Sequence, residues 1–483
     1  MDPNGIASAE QMSRRPGRPI DTAWAALPVL LPAFALLLDR MRAVDLAYHV
    51  RLGAQIIDAG TIPSTDTFTF TVSGQPWVDQ QWLAQVVFST VHRMGGWDLL
   101  WTLRGALGAV AFGFIYLACR ARGASPRAAS GLSMAGLTVG YFNLGMRPQM
   151  LAIPLFAAAL WAVASRKHHP WRLAILPAAA LVTANVHGSF PLLVALGVLA
   201  TLEDLIGRDA AWRRTAAWTG GTMLATFVTP SGPAVWGYVV DIATDPQIRA
   251  KITEWEPLRL DDPSGALAAA SVLAIAAWLA RRGRPAPWAS LIWLGAFLVP
   301  ALATQRSILW WALVAPVVIA GIDGTTPDPP PTARVTTNES RMPARVLVST
   351  LIVAVILALP IWRAIPEDQI LDDAPPGLTA AIRERLPAGT RTLIHQPWAS
   401  WFEYATPDIP VFVDSRIELY RAEVWDAYGS VAFAGAGWAE ALDEWDVEAI
   451  VAEADWELLP RLRQDPGWRV VAEDQDGALL IRV

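Results

Sequence analysis

The chain has 483 residues and a formal net charge of −6; 53% of them are hydrophobic and 17% charged, with a mean hydropathy of +0.33. Globular chains carry about 25% charged residues, so the composition excludes a disordered chain and argues against an ordinary soluble one. The 24 tryptophans against 7 tyrosines suit rings at a water–lipid boundary, and the expectation is a multi-span membrane protein.

A hydrocarbon core about 30 Å thick needs roughly 17 to 25 helical residues. In chain order, about eleven apolar windows come near that length: Thr22–Leu38, Leu99–Cys119, Ala128–Leu144, Pro148–Ser165, Trp171–His187, Phe190–Ile206, Ala216–Thr229, Ala266–Ala280, Trp288–Ala303, Ile308–Ile322 and Val346–Trp362. Cytoplasmic loops carry the excess of Lys and Arg. With the amino terminus inside, every predicted inner segment holds a basic cluster: Arg14, Arg15 and Arg18; Arg120, Arg122 and Arg127; Arg166, Lys167 and Arg172; Arg208, Arg213 and Arg214; Arg281, Arg282 and Arg284; Arg334, Arg341 and Arg345. The opposite loops are longer, acidic or nearly free of charge, which predicts a cytoplasmic amino terminus and an extracytoplasmic carboxyl terminus. The first apolar stretch ends at Asp39 and Arg40 with no small-residue cleavage pattern, against a cleaved signal peptide.

The predicted layout is a cytoplasmic tail over residues 1–21, a polytopic α-helical membrane domain over 22–363 with long outer loops at 39–98 and 230–265, and an extracytoplasmic α/β domain over 366–483. Within the first loop, Trp82–Phe88 has helical apolar spacing and is expected to lie along the interface. Residues 323–343, rich in Pro and Thr, read as a flexible linker. In the tail, Thr392–Ile394, Pro410–Val413, Ala449–Val451, Trp468–Val471 and Ala478–Val483 read as strands, and Leu378–Leu386 and Trp438–Trp445 as helices. From Pro366 onward there are 9 basic and 23 acidic residues, leaving +8 on the remainder; an acidic soluble part makes nucleic acid an unexpected partner. The lone Cys119 can form no internal disulfide, and no glycine-rich phosphate loop is visible.

Chemistry is expected in the first outer loop. On a helix, Asp45 and His49 share a face at i, i+4, and a carboxylate shielded from water beside the membrane can serve as a general base for a hydroxyl. The alternative is that Asp45 caps the helix and His49 is an interfacial polar residue.

At these residues the sequence resembles a known group. One span, a long outer loop with an early Asp, many further spans and an outward carboxyl-terminal domain are similar to the GT-C superfamily of polyprenyl-phosphate-sugar-dependent glycosyltransferases, in particular to bacterial relatives of the protein mannosyltransferase and aminoarabinose transferase group. The stretches that carry the resemblance are Asp45-Leu-Ala-Tyr-His49, Gly60-Thr-Ile-Pro63-Ser-Thr-Asp66, Trp77-Val-Asp-Gln-Gln-Trp82-Leu, Arg147-Pro148-Gln149, Asn185-Val-His187-Gly188 and Asp414-Ser-Arg416-Ile-Glu418-Leu-Tyr420. The resemblance implies an inverting transfer in which Asp45 activates an acceptor hydroxyl that displaces lipid phosphate from the sugar. It also implies a lipid-linked donor, membrane lipid around the chain, and an acceptor glycan, lipid or protein.

The departing phosphate needs positive charge or strong donors in a water-poor site. Arg147, His187 and Arg306 are candidates because each falls at the predicted outer end of a span, where a cation is less expected; snorkelling to headgroups is the alternative for the arginines, and a packing role for His187. Many GT-C loops carry two acidic residues side by side or one apart, whereas Asp45 is flanked by Val44 and Leu46, with Ala43 two before it. Asp66, Asp79 or Glu254 can supply a second carboxylate through folding. No paired carboxylates and no close histidine set support a divalent metal, and metal dependence is left unknown. In the tail, Asp414, Arg416 and Glu418 alternate after an apolar run; a salt-bridged strand end and a role in acceptor binding are both open. A non-catalytic membrane scaffold or lipid-binding protein of the cell envelope that keeps the same fold is the rival reading.

Overall fold

The computed structural model describes residues 19–41, 43–324, 342–363, 365–371 and 374–483. The amino-terminal tail up to residue 18 and most of the 323–343 linker, with Arg14, Arg15, Arg18, Arg334 and Arg341, lie outside the described residues.

Each of the eleven apolar windows falls on a helix. Ile20–Leu38, Trp82–Ala121, Pro148–Ser165, Pro263–Arg281 and Gln305–Asp323 are long and apolar enough to cross a membrane unaided, and Pro170–Val186, Trp288–Ala303 and Pro343–Leu357 are shorter apolar helices. Several of these helices start where their sequence says they should. Pro126, Pro148, Pro191 and Pro263 open their helices, a position where the missing N–H costs nothing and the fixed φ is already helical. Ahead of two of them, Ser125 Oγ accepts the Ala128 N–H at 3.2 Å and Asp262 Oδ2 accepts the Gly265 N–H at 3.0 Å, the expected N-cap contacts.

The first outer loop is more helical than expected. Leu46–Ala59 forms one helix, and Trp82–Phe88 is helical, at the start of a segment that runs to Ala121. Gly95 and Gly96 interrupt that segment with non-helical backbone, Gly96 at φ 62°, a region open to glycine at little steric cost, so a kink sets the helix holding Trp82–Phe88 apart from the apolar one over Leu99–Cys119. Glycine also lets the two helices touch: a Cβ on Gly53 would meet the Gln85 carbonyl oxygen at 2.0 Å. Elsewhere Arg166, 2% exposed, is bound by Asp204 at 2.6 Å, and Glu203 bonds Arg122 at 2.5 Å, so two of the basic clusters meet at one end of the bundle.

The carboxyl-terminal part is built on a four-stranded sheet of β1 (Thr392–Ile394), β2 (Ala449–Glu453), β3 (Trp468–Glu473) and β4 (Gly477–Arg482), in the order β1-β2-β4-β3. β1 runs parallel to β2 and the other pairs are antiparallel. The expected helices are present as Pro376–Arg385 and Trp438–Glu444, and two more, Gln396–Ala405 and Ala422–Ala432, complete the layer. Pro410–Val413 is not a strand. Val411 instead makes isolated bridges to Thr69 and to Thr392, because Pro410 lacks an N–H and the segment divides its pairing between the outer loop and β1. Residues 417–419 form a 3-10 turn, so the alternation Asp414, Arg416, Glu418 does not lie on one strand face.

The tail is stitched to the first loop. The Tyr48 N–H donates to Ser400 Oγ at 2.9 Å, Arg51 donates to the Glu403 and Pro407 carbonyls at 2.5 and 2.9 Å, and the Phe70 N–H donates to the Val411 carbonyl at 3.1 Å.

Candidate functional site

A cavity of about 510 Å³ opens between these parts. Asp45, Tyr48, Trp77, Asp79 and Gln85 come from the first loop and the helix after it, and Arg147 and His187 from two helix ends. Tyr238, Lys251 and Glu254 come from the 230–265 segment, Arg306 from the turn before Ile308–Asp323, and Gln396, Arg416 and Glu418 from the tail. Eight of the sequence-predicted residues therefore share one cavity: Asp45, Asp79, Arg147, His187, Glu254, Arg306, Arg416 and Glu418. His49 lies fully buried behind Asp45, while Asp66 and Asp414 stand behind Arg416 and away from the lining.

Asp45 occupies the N-cap position of Leu46–Ala59 but makes no capping hydrogen bond. Its Oδ1 is 3.4 Å from Arg147 Nε and its Oδ2 is 3.7 Å from His49 Nε2, beyond hydrogen-bond range for the latter. Burial acts to raise this carboxyl, but the charge of Arg147, helped by His49, outweighs it and holds Asp45 well below the usual carboxylate range. Arg147 is aimed by its sequence. Pro148 disfavours helical φ/ψ in the residue before it, so Arg147 is extended at φ −124°, ψ 167° and reaches both Asp45 and Glu254.

The second cationic corner differs. His187 closes its helix with extended backbone. Its Nδ1 lies 3.1 Å from the Ser189 nitrogen and 2.9 Å from Ser189 Oγ, and its Nε2 accepts from Arg306 Nη2 at 2.9 Å, since a guanidinium can only donate. Among the described residues no carboxylate lies within salt-bridge distance of Arg306, whose guanidinium sits 5.8 Å from the Trp255 ring centroid. Lys251, one of only two lysines in the chain, sits 5.2 Å from the Trp425 ring centroid and lines the same cavity. Two cationic side chains, one of them held by the His187 imidazole, so line a common volume, an arrangement suited to an anionic oxygen.

The opposite wall is acidic and aromatic. Asp79, 7% exposed, accepts from Gln85 Nε2 at 2.8 Å, and burial pushes its carboxyl up to about 7. Glu418 meets solvent through the cavity and lies 3.4 Å from Tyr238 Oη, and the protein enclosing it raises its carboxyl above the usual range. Arg416 is 2% exposed and fully engaged, with Nη2 at 2.6 Å from Asp66 and 2.5 Å from Asp414. Its guanidinium packs 4.9 Å from the Trp77 ring and 5.0 Å from Phe68. Asp66 is also consumed by its own turn, accepting the Thr69 N–H at 3.0 Å and the Thr69 hydroxyl at 2.8 Å. Among the described residues no three His, Cys, Asp or Glu side chains converge into a metal-binding group.

Lys251, Tyr48 and Tyr238 were not singled out from the sequence. A lysine is so rare here that its place in an outer segment was a usable signal; the tyrosines gave none.

No protein-family model matches the sequence, and no curated protein matches it. Solved structures do. The archaeal oligosaccharyltransferase AglB from Archaeoglobus fulgidus, in complex with an inhibitory peptide and a dolichol-phosphate, superposes with TM-score 0.53 at 14% identity, covering 89% of this chain and 69% of its own. ArnT from Cupriavidus metallidurans bound to undecaprenyl phosphate gives 0.55 at 14% identity, covering 94% and 96%. The arabinofuranosyltransferase AftD from Mycobacteria gives 0.56 at 17% identity, covering 97% of this chain and 42% of its own. All are GT-C glycosyltransferases, and the chain has the GT-C fold: a multi-pass helical membrane protein with a small carboxyl-terminal sheet.

Proposed function

We propose that the chain is an inverting glycosyltransferase that moves a sugar from a polyprenyl-phosphate donor to an acceptor hydroxyl at the outer membrane face. In this reading residues 22–363 form the catalytic membrane domain, the amino terminus is cytoplasmic and residues 366–483 are extracytoplasmic. The observation that carries it is one cavity lined both by a carboxylate held ionised by Arg147 and by cations without a carboxylate partner, Arg306, which His187 holds through Nε2, and Lys251. AglB and ArnT, which share the fold, were solved with polyprenyl-type phosphates.

The chemistry follows from that separation. Asp45, unprotonated across the working pH range, takes the proton of the acceptor hydroxyl as its oxygen bonds to the anomeric carbon. The bond from that carbon to the phosphate oxygen breaks, and its electron pair leaves on the phosphate. Negative charge grows at the phosphate, where Arg306 and Lys251 stand ready and His187, accepting from the Arg306 guanidinium, keeps it oriented so that little reorganisation is needed. Arg147 is taken up by Asp45 and Glu254, so its part is to fix and charge the base rather than to bind phosphate.

The test is Asp45→Asn in full-length protein reconstituted with membrane-extracted lipid-linked sugars. Insertion and abundance should match wild type while transfer falls by about 10²-fold or more, the scale of losing a general base. Transfer at the wild-type rate would remove Asp45 from the mechanism, and transfer by neither protein would favour a non-catalytic scaffold.

A further inference from the structure

The cavity wall facing away from the cationic corner holds polar atoms that the proposed transfer leaves unused. Asp79 Oδ2 and Gln85 Oε1 are buried with no hydrogen-bond partner, and both side chains line the cavity. Asp79 is 7% exposed and Gln85 is fully buried. An unsatisfied buried acceptor costs about 1–3 kcal/mol, so two beside one cavity call for an explanation by function. Glu418 adds a third acceptor group a short way along the same wall, with the Tyr238 hydroxyl beside it.

We infer that Asp79, Gln85 and Glu418, with Trp77 beside them, form a subsite for a neutral, hydroxyl-rich ring, a sugar. The inference rests on the transferase reading and names what that site holds besides phosphate. Three features select this chemistry. Anions are excluded, because Asp79 and Glu418 have no cation within salt-bridge range among the described residues, Arg416 being taken up by Asp66 and Asp414. A carboxylate, an amide carbonyl and a phenol present acceptors and donors in mixed order, and a hydroxyl both gives and accepts a hydrogen bond. Trp77 lines the cavity with its ring held by the Arg416 guanidinium, and adds an apolar boundary beside these acceptors. Burial raises the Asp79 carboxyl to about 7, which lets it donate as well as accept.

The ring could belong to the donor or to the acceptor, and the two are separable by experiment. Full-length protein in lipid nanodiscs is titrated with methyl α-mannopyranoside, methyl β-galactopyranoside, mannose 1-phosphate and inorganic phosphate, with binding read by saturation-transfer NMR. Undecaprenyl phosphate binding is measured alongside by intrinsic fluorescence. Wild type should bind at least one methyl glycoside, and Gln85→Met and Glu418→Leu should each weaken it about tenfold, the loss of one good hydrogen bond. Undecaprenyl phosphate binding should stay within about twofold, the mark of an intact fold. Mannose 1-phosphate binding more tightly than both the glycoside and inorganic phosphate assigns the ring to the donor; no such gain assigns it to the acceptor. Glycoside binding that is absent, or unchanged in both variants, overturns the subsite. Loss of undecaprenyl phosphate binding in wild type, with glycoside binding kept, sinks the lipid-phosphate reading and leaves the subsite standing.

Discussion

Asp45 and Asp79 are the same side chain in the same cavity, driven in opposite directions by their neighbours. Asp45 has a guanidinium at 3.4 Å; Asp79 has an amide and an unpaired oxygen. The first is therefore a fixed charge and the second a group that titrates near neutrality. Because burial lifts the Asp79 carboxyl to about 7 in the folded state from the ordinary 3.8, its protonated form favours the folded state. That contribution is complete below about pH 4 and is lost as pH rises through 7. Replacing it by Asn should flatten the pH dependence of the thermal midpoint between pH 4 and 7, while wild type loses stability over the same interval. Sequence made four of the site groups legible because they were misplaced for ordinary structure: an acid just outside a span, and Arg147, His187 and Arg306 at helix ends where cations were not expected. Glu418 and Tyr238 were not legible as partners, since their meeting at 3.4 Å spans 180 residues and leaves no local pattern.

Hydropathy found every long apolar element, because a run of apolar residues buried among helices or facing lipid is a local property. Trp82–Phe88 stands apart from the apolar window after it, because the non-helical Gly95 and Gly96 break the helix between them. An element whose form depends on distant partners was misread. Pro410–Val413 has the composition of a strand, but only one of its residues finds bridges, and one of those is to Thr69 in another part of the chain. The close packing of Leu46–Ala59 on the helix that starts at Trp82 is the element-scale feature that fixes Asp45 relative to Asp79 and Gln85. Gly53→Ala would place a methyl group 2.0 Å from a backbone oxygen, and backbone cannot yield as a side chain can. The expected cost is about 1–3 kcal/mol, seen as a lowered thermal midpoint in detergent, with transfer impaired even below that midpoint because the helices must separate. An unchanged midpoint would mean the interface is looser than the contact distance says.

At the scale of the molecule, the charge contrast between membrane part and tail was visible from composition, whereas the way they join was not. The joint is a buried ionic knot in which Arg416 of the tail bridges Asp414 and, 350 residues away, Asp66 of the first loop. A third buried acid, Glu403, lies 3.9 Å from the same guanidinium, and burial, with Asp414 next to it, drives its carboxyl well above the usual range. Such a knot is costly to break from one side, by about 3–5 kcal/mol, because the remaining charge stays buried. A double-mutant cycle of Asp66→Asn and Arg416→Met on unfolding should therefore show a coupling above about 1 kcal/mol. Additive effects would show that loop and tail are held together by their other contacts.

The position of Gln396, Ser415, Arg416 and Glu418 in the cavity wall has a consequence in time. These residues follow every one of the apolar helices in the sequence, whereas Asp45 follows only the first of them, so synthesis delivers the two sides of the cavity at different times. The chamber is enclosed only once the sheet domain has been made, folded and seated on the first loop.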